Sequence, residues 1–139
     1  WPGKIEPGFS DELVVNQDLV ATLASVVGTT IPKEQALDSM NLLPLLMGRQ
    51  SYNSRKYLLL QAGSRNEVMF RKDGWKLILQ SDQKLTRFDP VALFHLSENP
   101  SEAAANNKID DPLLQKRIHE MRTEYLRIRE SRIRTIPRS

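Results

Sequence analysis

The chain of 139 residues has no cysteine and only two histidines. Without thiols there are no disulfides, no thiolate metal sites and no cysteine nucleophile. The histidines, His95 and His119, have no second histidine or carboxylate at the HExxH type of spacing, so each reads as a structural or surface residue. Glycine is sparse and scattered. Gly3, Gly8, Gly28, Gly48, Gly63 and Gly74 stand alone, which excludes a glycine-rich phosphate loop, and each has a turn or cap explanation. There is no Gly-x-Ser-x-Gly elbow, and Ser64 has no base placed by sequence to activate it. No apolar run approaches the roughly 20 residues of a membrane-spanning helix, so no membrane span is expected. Trp1-Pro2-Gly3-Lys4 is not a signal peptide.

What is present fits a globular protein: 40% apolar and 27% charged residues, with a net charge of +3. The length suffices for one domain with a modest core. The positive excess is local, with Arg127, Arg129, Arg132, Arg134 and Arg138 close to the C-terminal end. Such a cluster can bind nucleic acid or another anion. No aromatic residues interleave with it, as a single-strand binder would want. A solvated helix end, where cations complement the helix dipole, is the simpler reading.

Periodicity divides the chain. Asn16 to Val27 reads as a helix, with Asn16 as cap, Asp18 in the first turn, Leu19, Leu23 and Val26 as an apolar stripe, and Gly28 as terminator. Asn41 to Met47 reads as a short helical turn with Pro44 near its start. Gly48 to Arg55 is polar and predicted to be a surface loop. Four short runs follow, Tyr57–Ala62, Val68–Arg71, Trp75–Leu79 and Val91–Leu96, rich in aliphatic and aromatic residues. Asp73-Gly74 is a strong hairpin signal. Along the third run Trp75, Leu77 and Leu79 alternate with Lys76, Ile78 and Gln80. Ser97 to Asp111 reads as a loop, whose Asp110-Asp111 pair fits a helix cap better than a calcium site, because no EF-hand pattern surrounds it. Pro112 then opens a helix whose Leu114, Ile118, Met121, Tyr125 and Ile128 form a continuous stripe. The expected fold is α+β: an antiparallel sheet of about four strands against a long C-terminal helix, after an N-terminal helical segment.

Several of these segments also carry family motifs. Trp1-Pro2-Gly3-Lys4-Ile5-Glu6-Pro7-Gly8 resembles the segment that closes the catalytic domain of many sulfatases. Ser10-Asp11-Glu12-Leu13 with Gln17-Asp18-Leu19-Val20-Ala21-Thr22-Leu23 and Gly28 is similar to the family's following helix, with Ala21 where proline is usual. Leu42-Leu43-Pro44-Leu45-Leu46-Met47-Gly48 resembles its "SLLPLLxG" segment, and Arg71-Lys72-Asp73-Gly74-Trp75-Lys76-Leu77-Ile78 its "VRxGxWKLI" hairpin. Ala92 to Glu102 is similar to "xELYDLxxDPxE", with Phe94 and His95 in place of Tyr and Asp. Five motifs in the family's order resemble an arylsulfatase-type sulfatase of the alkaline-phosphatase-like superfamily.

The resemblance implies that 1–55 is a linker and helical segment adjoining a catalytic domain upstream, and that 56–139 is the C-terminal subdomain. It implies a parent that hydrolyses sulfate esters with a formylglycine, made from a Cys/Ser-x-Pro-x-Arg motif, and a calcium ion. Two residues before Pro7, Pro32, Pro44, Pro90, Pro100, Pro112 and Pro137 stand Ile5, Thr30, Leu42, Phe88, Glu98, Asp110 and Thr135. None is Cys or Ser, and the resemblance places the family's calcium carboxylates and last active-site lysine upstream of Trp1-Pro2-Gly3-Lys4, so no catalytic, cofactor-binding or metal-binding residue is carried over, no cofactor is assigned to this chain, and the chain alone is expected to be inactive. Arg55 and Arg65 are candidates for a substrate-pocket rim, because a guanidinium suits sulfate. The expected partner is the catalytic domain of the same protein, with self-association through Trp1 to Val27 as a second possibility. The compartment is left open, a periplasmic or secreted parent fitting the resemblance. The alternative is a self-standing, non-enzymatic module whose basic C-terminal helix binds nucleic acid or an acidic partner.

Overall fold

The Asp73-Gly74 hairpin organises the larger part of the structure, a computed structural model that describes residues 1–32, 34–49, 55–62 and 66–131. Both turn residues have positive φ, 49° and 79°, as a two-residue turn matching the strand twist requires. A Cβ on Gly74 would also collide with the Ser97 hydroxyl. The chain falls into two compact units, one built on Trp1–Arg55 and one on Lys56–Arg132.

The second unit holds strands β1 (Leu58–Gln61), β2 (Glu67–Lys72), β3 (Trp75–Ser81) and β4 (Phe88–His95) in the order β1-β2-β3-β4, all pairs antiparallel. This is the expected α+β sheet. Its register aligns the apolar alternation: Phe70 lies opposite Leu77, Leu77 opposite Leu93, and Val68 opposite Leu79. All five are buried, and such cross-strand neighbours stabilise a sheet.

The last strand starts earlier than the sequence suggests, at Phe88 instead of Val91. Its start takes in Pro90, which cannot donate to a ladder. The strand lies at the sheet edge, and the register shifts there: Ile78 pairs with Ala92 and Leu79 with Pro90, leaving Val91 as an extra residue. Edge strands and bulges tolerate proline. The shift also sends Phe88 into the core.

Asp111 caps the last helix, its carboxylate accepting from Leu113 N at 2.9 Å. A 3-10 turn at Pro112–Leu114 leads into the α-helix Gln115–Ser131. Ile118, Met121, Tyr125 and Ile128 are buried in the sheet's core cluster, and Tyr125 meets Phe88 edge-on at 5.1 Å. Burying each large apolar side chain contributes about 1.5–3 kcal/mol. Charged groups pin the helix edges. Lys72 pairs with Glu124 at 2.8 Å, and Arg122 Nε donates to Phe88 O at 2.7 Å. Arg117 stacks over Trp75, and Arg129 over Phe88.

The first unit contains α1 (Asp18–Val26) and α2 (Leu43–Leu46). We number the long C-terminal helix α3. Helix α1 ends at Gly28, whose φ of 72° reverses the chain so that Thr29 N donates to Ala24 O. The expected cap, Asn16, is not used. The cap position is Gln17, with no side-chain hydrogen bond. No helix among the described residues is long and apolar enough to cross a membrane.

Candidate functional site

Arg55, a candidate for a substrate-pocket rim at the end of a polar stretch predicted as surface loop, has a side chain only 6% exposed. Its Nη2 donates to Asp18 Oδ1 at 2.6 Å and to Asp38 O at 3.2 Å. Asp18 is fully buried. The same Oδ1 accepts from Met40 N at 2.8 Å, and Oδ2 accepts from Val15 N at 2.9 Å. A buried carboxylate is tolerable only when paired and hydrogen-bonded, and charge-assisted bonds are the strong ones. One residue of α1 thereby joins the chain before it, the 38–40 segment and residue 55. Arg55 Nε is buried without a hydrogen-bond partner.

Helix α1 continues this polar contact along one row. Thr22 Oγ1 accepts from Leu42 N at 2.9 Å and donates to Asp18 O at 2.7 Å. Ser25 Oγ accepts from Asn41 Nδ2, and Ala21 N donates to Ser39 Oγ. Asp18, Thr22 and Ser25 are spaced i, i+4, i+7, the spacing of a single helix face. That polar row was the missed signal: three short polar side chains on one face of an otherwise apolar helix mark a face that meets backbone. Arg65, the other rim candidate, lies outside the described residues, as do residues 50–54 of the predicted surface loop.

In the second unit a cleft of ≈ 350 Å³ is lined by Phe94, His95, Glu98, Asn99, Asn106 and Lys108, among others. The His95 ring lies 4.2 Å from that of Trp75, and Nδ1 is 3.0 Å from Glu98 Oε1. This approach does not amount to a hydrogen bond, and the buried Nδ1 has none. His95 Nε2 and Ser97 Oγ both approach Gly74, but no hydrogen bond links them, so the hydroxyl has no positioned base. His119 is on the exposed side of α3.

The calcium implied by the family finds no fitting ligand set here. Among the described residues no three His, Asp or Glu side chains converge. Asp111 is used as a helix cap, whereas calcium takes six to eight oxygens.

No protein-family model matches the chain. Individual relatives do. An N-acetylgalactosamine-6-O-sulfatase of Bacteroides thetaiotaomicron is 32% identical over 111 residues, covering 73% of this chain and 21% of that protein. Human arylsulfatase A is 32% identical over 121 residues, covering 73% of this chain and 24% of its own length. A solved structure described with glycosaminoglycan metabolism by Bacteroides thetaiotaomicron superposes with a TM-score of 0.63 at 20% identity, over 92% of this chain and 30% of that one, a likeness of fold. The chain belongs to the sulfatase family, as a C-terminal subdomain of the arylsulfatase type. It spans about a quarter of the length of the curated relatives it matches.

Proposed function

We propose that this chain is the non-catalytic C-terminal portion of a sulfate-ester hydrolase. A catalytic domain of the same polypeptide would supply the formylglycine that attacks sulfur and the calcium that stabilises the sulfate oxygens, the metal-assisted logic of Lewis-acid catalysis. The observation that carries this reading is a mismatch. Sulfatases align along most of the chain while the chain covers only 21–26% of them, and no Cys/Ser-x-Pro-x-Arg motif lies within its sequence. The role left to the portion in hand is support: a rigid sheet and helix that brace the catalytic domain.

The test has a genetic and an enzymatic arm. The open reading frame is expected to continue upstream of Trp1 and to encode a Cys/Ser-x-Pro-x-Arg motif. The encoded full-length protein is expected to release sulfate from an aryl or sugar sulfate, and the 139-residue chain to release none above a no-protein blank, with or without calcium. Sulfate release by the 139-residue chain alone, or a start codon immediately before Trp1, would overturn the proposal.

A further inference from the structure

The cleft beside His95 is built from the end of β4 and the connection that follows it, and it measures ≈ 350 Å³. Ligand pockets run from about 300 to 1,000 Å³, so this one suits a small molecule. Phe94 and Ala105 supply apolar lining, and Glu98, Asn99, Asn106 and Lys108 supply polar groups. One residue holds the two amides in opposite senses. Asn99 Oδ1 accepts from Ser101 N at 2.9 Å, and Asn106 Nδ2 donates to Ser101 O at 3.1 Å. Asn99 therefore has its NH2 group left over as a donor, and Asn106 has its carbonyl oxygen left over as an acceptor. Lys108 adds an ammonium. Its side chain has no hydrogen bond or ion pair among the described residues, whereas Lys72 and Lys76 of the same unit are paired with Glu124 and Glu102. Glu98 adds a carboxylate, approached by His95 Nδ1 without a hydrogen bond. The imidazole behind it is held against Trp75, over which Arg117 stacks in turn.

We infer that this cleft binds one small polyhydroxylated ring, a monosaccharide unit. The inference goes beyond the proposed function and does not depend on it. The choice of ligand follows from the mixed lining. A simple oxyanion would gain from Lys108 and the Asn99 amide but would meet the Glu98 carboxylate and the Asn106 carbonyl. A simple cation would meet the converse. A free amino acid carries both signs, yet it would rely on charge attraction, which is weak where Glu98 is 66% exposed. A hydroxyl is at once a donor and an acceptor. A ring bearing several of them satisfies all four polar groups while its C–H surface lies against Phe94 and Ala105. The volume agrees: at about 30 Å³ per water the cleft holds on the order of a dozen waters, room for a single pyranose and its hydroxyls.

The test is titration of the isotope-labelled 139-residue protein with D-glucose, D-galactose and D-mannose, followed by NMR, with sodium sulfate and glutamine as comparison ligands. At least one sugar is expected to give saturating shifts of the Asn99 and Asn106 side-chain amides and of the backbone at 94–99 and 105–108. The dissociation constant should be on the order of 1 mM, as suits so small a ligand. Asn99→Asp keeps the acceptor for Ser101 N and removes the donor, and it should weaken binding roughly five- to ten-fold, the effect of one aligned hydrogen bond. Lys108→Met breaks no side-chain bond of the fold and should weaken binding by a smaller factor, about three-fold; it decides the matter if the aspartate variant fails to fold. No saturating shift with any of the sugars overturns the inference. Saturating shifts of the same residues by sulfate or glutamine overturn it too, since the cleft would then take charged ligands. So does sugar binding that neither variant weakens, because the site would lie elsewhere.

Discussion

The two units solve the same problem with opposite materials. In Lys56–Arg132 the buried cluster is wholly apolar or aromatic: Val68, Phe70, Leu77, Leu79, Phe88 and Leu93 from the sheet, and Ile118, Met121, Tyr125 and Ile128 from α3. In Trp1–Arg55 the only buried apolar residue among those described is Met40, and the rest of its interior is Asp18, Thr22 and Arg55. One unit is stabilised by removing aliphatic surface from water. The other is organised by an ion pair and hydrogen bonds to backbone, with its aliphatic residues outside. Apolar burial is non-directional and spread over many contacts; a buried ion pair depends on both partners. The interior of the second unit thus rests on many apolar contacts, and that of the first on a few paired polar groups.

The comparison can be broken most directly at Asp18. Asp18→Ala leaves Arg55 buried and uncompensated, and removing one partner of a buried pair costs about 3–5 kcal/mol. Hydrogen exchange of Asp18–Val26 should rise accordingly, with Trp75–Ser81 unaffected. A change below about 1 kcal/mol, in the range of an exposed ion pair, would show that the pair does not hold the first unit together.

The mirror experiment is Ile118→Ala in the second unit. It removes apolar volume from a filled core site and should cost roughly 2–5 kcal/mol in denaturant unfolding. Here the loss should be graded: Ile118→Val is expected to cost only about 0.5–1.5 kcal/mol, whereas the polar hub should show no comparable gradation.

A third test concerns acid. In the β3–β4 connection Asp82 accepts from the Thr86 hydroxyl and from the backbone N–H of Thr86 and Arg87. The Thr86 hydroxyl foremost, then the Arg87 N–H, lowers its carboxyl from the ordinary 3.8 to about 2. A carboxylate with a depressed folded-state pKa contributes stability that is fully present above about pH 4 and lost as the pH falls through about 2. Asp82→Asn should flatten this acid limb, and a carboxyl titration followed by NMR should place the midpoint well below that of an unperturbed aspartate. A midpoint near 3.8 would show that the loop's hydrogen bonds do not persist in solution.

The smallest effect is expected at Leu23. It is exposed in this chain, so Leu23→Ala should change the stability of the 139-residue protein by no more than about 0.5 kcal/mol, as surface substitutions do. A larger loss would mean that the aliphatic face of α1 is already covered within these residues, and the contrast between the two units would be weaker than described.

The sequence by itself determined the sheet and its helix. Alternation in Trp75–Leu79, the Asp73-Gly74 turn and the spacing of Ile118, Met121, Tyr125 and Ile128 are local patterns, and in a unit held by apolar burial the local pattern and the final packing agree. Sequence also carried the family, through motifs that require no geometry to read. What only tertiary structure decided were the features that depend on residues far apart. Pro90 could join β4 because that strand is at an edge and shifts register against Ile78 and Leu79. Arg55, in a stretch that reads as solvated loop, is buried because a carboxylate 37 positions earlier is directed at it. And α1 turned its polar row inward because the 38–42 segment offers it backbone N–H groups and short polar side chains. Periodicity shows that a helix has two faces; which face is buried depends on the chemistry of what packs against it.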